Sequence, residues 1–160
     1  MKSLIWILGA PGTGKGKLSK SIAEEYGIEC LSMGELLRKS GGMEIAEAAR
    51  RGRLIPDRKA VELIMKETER EEGKEMIFDG FPRTVEQYRM FKEKDNAKVE
   101  LIIWLRCEKN LIMERIQNRA LKEPGRIDSS PETVRARLRG YEEVTHPLLD
   151  VFHFDRMPCV

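Results

Sequence analysis

The 160-residue chain has little of what several functional classes require. Histidine occurs twice, cysteine three times, and aromatic residues make up 6% of the total. Cys30, Cys107 and Cys159 are far apart, odd in number and without a CxxC spacing, so neither a zinc site nor a disulfide framework is expected. No run approaches the roughly 20 apolar residues of a membrane span, and Leu4–Leu8 is too short for a signal-peptide core. Charge of one sign is also missing. With 29 basic and 27 acidic residues the net charge is +2, which implies no nucleic acid or membrane partner. What is present is 41% hydrophobic and 35% charged residues, the composition of one globular, reduced, cytoplasmic domain with a highly charged surface.

Short apolar runs alternate with longer amphipathic segments, the pattern of a three-layer α/β fold with a parallel sheet of about five strands. The strands are expected at Leu4–Leu8, Ile28–Leu31, Glu75–Phe78, Val99–Leu105 and, as a weak fifth, Val151–Phe154. Their near-continuous apolarity fits burial on both faces. Helices are expected to begin near Lys15, Gly34, Met43, Asp57, Val85, Lys109 and Pro131, the last behind the N-cap candidates Ser129 and Ser130. Two stretches interrupt the alternation: a small helical insert over 33–56 and a polar loop over 120–130. Both are expected at the carboxyl edge of the sheet, where open α/β folds bind ligands.

The strongest local signal is Gly9-Ala-Pro-Gly-Thr-Gly14-Lys15-Gly16, which follows a strand and opens a helix. Glycines let successive backbone N–H groups curl around a phosphate without Cβ clashes, and the helix N-terminus favours the anion. Lys15 then supplies a point charge to the outer phosphates. The strict GxxxxGK[ST] pattern is not met, because Gly16 and Lys17 follow the lysine.

This string resembles the P-loop of adenylate kinases and their nucleoside monophosphate kinase relatives, and further matches follow in order. Ser32-Met-Gly-Glu-Leu-Leu-Arg38 resembles the family's Ser-Thr-Gly-Asp-x-Leu-Arg, and Gly52-Arg-Leu-Ile-Pro-Asp57 its Gly-x-Leu-Val-Pro-Asp. Asp79-Gly-Phe-Pro-Arg-Thr84 with Gln87 is its most recognisable string, and Gly125-Arg-Ile-Asp128 with Arg137 resembles its lid arginines. The matches cover roughly residues 3–150.

The resemblance implies transfer of the γ-phosphoryl of ATP to AMP with Mg²⁺, in a single domain over 1–160 whose 33–56 insert binds the acceptor and whose short lid spans 119–131. It implies that Gly12, Thr13, Gly14, Lys15, Gly16 and Lys17 bind ATP together with Arg115 and Arg119. Lys15, Arg83, Arg119, Arg126 and Arg137 are the implied catalytic residues, since arginine's planar fork suits charge spreading over a transferring phosphoryl group. Met33, Arg38, Arg53, Leu54, Ile55, Gly80, Phe81, Pro82, Arg83, Gln87, Arg126 and Arg137 are the implied AMP-binding set, with Gln87 on the base. Asp79, ending a buried run, is implied to hold Mg²⁺ through water.

Departures from the pattern keep alternatives open. Lys17 stands where the family has a hydroxyl, which raises the alternative of a nucleotide-binding protein with little turnover. Met33 replaces an acceptor-side threonine, which leaves CMP or UMP as acceptors. The family's last strand and long final helix have no full counterpart before Val160, so a monomer is expected with a dimer as the alternative. His146 and His153 are expected to be structural or surface residues.

Overall fold

The computed structural model describes residues 3–70, 74–94, 97–122 and 130–160, with the side chains of Arg70, Arg119 and Ala120 excepted. Four parallel strands, β1 (Ser3–Gly9), β2 (Glu29–Ser32), β3 (Glu75–Asp79) and β4 (Lys98–Leu105), lie in the order β2-β3-β1-β4. Eight α-helices are described: α1 (Lys15–Tyr26), α2 (Met33–Ser40), α3 (Met43–Arg50), α4 (Asp57–Arg70), α5 (Val85–Lys94), α6 (Lys109–Lys122), α7 (Pro131–Gly140) and α8 (Leu148–Phe154). A π-helical turn over Tyr141–Thr145 continues α7.

Helix starts follow their sequence signals. Ser32 caps α2 by accepting from the Glu35 N–H, and Ser130 caps α7 by accepting from the Thr133 N–H, with Pro131 in the first turn. The Gly27 αL residue ends α1, so β2 begins one position later than expected.

The scarce aromatics are concentrated rather than dispersed. Trp6, Phe78, Phe81, Tyr88, Phe91 and Phe152 meet mostly edge to face, with neighbouring centroids 5.3–6.1 Å apart. Trp6, Phe78, Phe81 and Phe152 are at most 1% exposed. This cluster glues α5 and α8 to one sheet face and contributes roughly 2 kcal/mol of hydrophobic stabilisation per ring. A smaller cluster of Ala10, Ile112, Val134 and Leu138 packs α6 and α7 beside the Gly-rich loop.

The expected fifth strand at Val151–Phe154 is instead part of α8. Leu148 and Phe152, four apart, are both fully buried, so the apolar period is helical; a four-residue apolar run does not distinguish the two periods. The sheet edge is taken by 158–160. Ile102 N–H donates to Pro158 O at 2.7 Å, Val160 N–H to Ile102 O at 2.9 Å and Trp104 N–H to Val160 O at 2.8 Å. This segment pairs parallel to β4 through an Ile102–Cys159 bridge, so the sheet gains a fifth, very short member.

Candidate active site

The carboxyl ends of β1, β2 and β3 converge, and each delivers a chemical group there. β1 runs into the Gly-rich loop, β2 into the α2 cap, and β3 ends on Asp79. The loop's geometry depends on glycine. Gly12 has φ +81, and a Cβ there would lie 3.0 Å from Ile116 Cγ1; at Gly9, φ +143, it would lie 2.5 Å from Leu105 O. Gly14, φ +99, caps α1. Lys15 Nζ donates to Gly9 O at 2.8 Å and Ala10 O at 2.9 Å, so the ammonium is folded back over the loop. Thr13 Oγ1 closes the loop on Ala10 O at 2.7 Å.

Asp79 is 9% exposed, and one of its oxygens lies 3.4 Å from where a Cβ on Gly16 would stand. A side chain at 16 would therefore start in ordinary contact with this carboxylate, and glycine leaves the space between it and the first turn of α1 unfilled. Burial pushes the Asp79 carboxyl above its ordinary value, against the opposing pull of Lys15, Arg83 and a hydrogen bond from Ser19.

A cavity of about 1270 Å³ opens at this edge. Its walls include Lys15 from the loop, Arg38 from α2, Arg53, Leu54 and Ile55 before α4, Gly80 and Arg83 after β3, and Arg137 from α7. Eight sequence-expected residues from five segments therefore share one cavity. The α7 wall is held close to the 50–53 turn: Thr133 Oγ1 donates to Arg50 O at 2.6 Å, and a Cβ on Gly52 (φ +63) would lie 2.5 Å from Thr133 O.

Other expected residues stand apart from that wall. Met33 (1% exposed) and Phe81 (0%) are in the core, and Pro82, joined to Phe81 by a cis bond, is buried. Gln87 is 2% exposed, with Oε1 accepting from the Arg83 N–H at 2.8 Å and Nε2 donating to Asp57 Oδ1 at 2.9 Å. Lys17 is exposed on α1. Arg115 reaches back to the loop, Nη1 lying 3.3 Å from Thr13 O. The Arg119 side chain and all of Arg126 lie outside the described residues.

Three participants were assigned no role from the sequence, although Asp57 ends the Gly52–Asp57 string. Asp57 accepts from Gln87 and from Thr84 Oγ1 (2.9 Å), Thr145 donates to Arg83 O (2.8 Å), and Ser19 stands beside Asp79. A buried hydroxyl or carboxylate looks the same in sequence as an exposed one. The fold must be known to find them.

The arrangement can hold a polyphosphate at the loop and surround its far end with guanidinium groups. Residues 7–157 match the family model described as adenylate kinase. The chain belongs to the adenylate kinase family. It is 36% identical over 156 residues to an adenylate kinase of Bacteroides thetaiotaomicron, covering 91% of this chain and 82% of that one. It is 37% identical over 158 residues to an adenylate kinase of Porphyromonas gingivalis, covering 92% and 81%. It is also 32% identical over 153 residues to a UMP-CMP kinase of Prunus armeniaca, covering 92% of this chain but 65% of that relative. The chain thus spans just under two thirds of that plant protein's length.

Proposed function

We propose that this chain is a nucleoside monophosphate kinase that transfers the γ-phosphoryl group of ATP to AMP, giving two ADP. The observation that carries the reading is the single cavity shared by Lys15 of the Gly-rich loop and by Arg38, Arg83 and Arg137. An oxygen of the acceptor phosphate attacks the γ-phosphorus while its bond to the β–γ bridging oxygen breaks. No covalent nucleophile from the protein is needed. The protein's part is alignment and charge.

In this reading Lys15 leaves the carbonyls of Gly9 and Ala10 for the outer phosphates, and the N–H groups of the loop take the inner ones. Arg83 and Arg137 bind the transferring group, with Arg119 and Arg126 joining from the 119–131 lid. Arg38 and Arg53 hold the acceptor phosphate, and the backbone at Leu54 and Ile55 faces its nucleoside. Asp79 suits Mg²⁺: it is a lone buried carboxylate beside Gly16, and no cluster of three or more ligating side chains occurs among the described residues. That donor set fits a cation coordinated mainly by phosphate and water. The bound ion would neutralise charge on the phosphates. No helix among the described residues is long and apolar enough to cross a membrane, and we assign the protein to the cytoplasm.

The likeness to a UMP-CMP kinase favours a second reading in which the acceptor is a pyrimidine monophosphate. Burial of Met33 and the double engagement of Gln87 are compatible with it, since neither is committed to an adenine. A coupled assay with ATP against AMP, CMP, UMP, GMP and dTMP decides between them. Fastest turnover with AMP is expected. Turnover with CMP or UMP but not AMP would transfer the assignment to the second reading, and ATP binding without any transfer would remove both.

A further inference from the structure

Arg83 is fastened at three points. Its N–H donates to Gln87 Oε1 at 2.8 Å, its Nε–H to Gly80 O at 2.7 Å, and its carbonyl accepts from Thr145 Oγ1 at 2.8 Å. The first two bonds come from within four residues. The third spans 62 positions and comes from the end of the π-helical turn. Thr145 is 7% exposed and lines the same cavity as Arg83 and Arg137.

The π-helical turn is what brings Thr145 there. His146 N–H donates to Tyr141 O at 2.8 Å, a five-residue spacing that admits one extra residue and rotates everything after it by about 100° relative to an α-helix. Side chains pin this register to the sheet. Tyr141 Oη accepts from Trp104 Nε1 at 2.9 Å, and the Tyr141 and His146 rings lie 6.3 and 6.4 Å from the Trp104 ring. One continuous helix thus offers Arg137 to the cavity and, two turns later, a hydroxyl to the backbone of Arg83.

Resting on the function proposed above, we infer that Thr145 is a positioning residue for phosphoryl transfer. By holding the Arg83 carbonyl it fixes the peptide from which the guanidinium projects, and the π-helical turn sets its register. A long, flexible side chain is aimed only as well as its backbone is held, and a misplacement of about 1 Å can cost up to about a hundredfold in rate.

Thr145→Val keeps the shape and removes the donor. The expected result is a fall in kcat of about tenfold with the KM for ATP changed by less than about twofold, and recovery in Thr145→Ser. Wild-type kcat in Thr145→Val, with or without a lowered melting temperature, would show that the hydroxyl only caps a buried carbonyl and would overturn the inference. So would a Thr145→Ser variant that stays slow. Should Thr145→Val not fold, Trp104→Phe takes its place, with a fall of about threefold expected from loosening the turn and an unchanged kcat overturning the inference. The Arg83 Nε–H resonance in ¹⁵N-labelled protein gives a readout without turnover: sharp in wild type, broadened or shifted in Thr145→Val. If wild type transfers no phosphoryl group, the functional reading has failed, and an unchanged resonance in Thr145→Val would separately end the positioning role.

Discussion

Residues 9–16 and residues 38–57 border the same cavity and are made in opposite ways. The first is one unbroken segment shaped by Gly9, Gly12 and Gly14 at positive φ, which in the proposed reading takes phosphates with its backbone N–H groups and Lys15. The second presents exposed side chains, Arg38 and Arg53, on short helices and turns. Its position depends on bonds to distant elements, from Thr133 to Arg50 and from Thr84 to Asp57. A site made of backbone has few adjustable parts, so damage there is severe. A site made of flexible side chains on separate supports loses function by degrees.

The largest effect that tests this contrast is Lys15→Met. Turnover should fall by about a thousandfold while the melting temperature stays near wild type, since a half-buried ammonium contributes little to the core. An active variant would break the phosphate assignment on the loop side.

Asp79→Asn should lower kcat by about a hundredfold and yet stabilise the fold at neutral pH. The folded Asp79 carboxyl titrates above its unfolded value because burial disfavours the charge, so its ionisation weakens the fold. Stability is fully present below the ordinary carboxylate value of about 4 and is lost as pH rises through the elevated folded value. Removing the charge eliminates that loss. Thermal melts of both proteins from acid to neutral pH should diverge upward with pH, and parallel curves would contradict the burial argument.

Arg38→Ala, on the acceptor side, should raise the KM for the monophosphate by about tenfold and leave the KM for ATP nearly unchanged. An equal rise for both would erase the distinction between the two walls. Gly52→Ala adds a methyl where 2.5 Å separates it from Thr133 O, pushing the insert from α7 at a cost of about 1–3 kcal/mol, which urea unfolding would measure. Ser130→Ala removes a helix cap together with a hydrogen bond to Thr133 Oγ1 (2.9 Å) and should cost about 1 kcal/mol with little change in turnover.

Local signals carried much of this fold. Ser130 as a cap, Pro131 in a first turn and the apolar runs of the four strands were all legible, because each acts over a few residues. The run Val151–Phe154 was not, since its burial is decided by Phe152 packing against Trp6 and Tyr88, which are far away in sequence. The motif around Asp79 marked Arg83 as functional. Its restraint by Thr145 left no trace, because a hydroxyl meeting a carbonyl 62 positions away has no spacing to betray it.

By itself the sequence determined the glycine loop, the lysine beside it, the parallel strands and nearly every helix start. Backbone conformation and capping are short-range, and glycine, proline and serine impose them wherever they stand. Only the tertiary structure decided that 158–160 completes the sheet, that Met33 and Gln87 turn inward, and that a π-helical turn secures Arg83. Those outcomes are settled by which surfaces remain to be buried, and by which polar groups need partners, once the elements have already met.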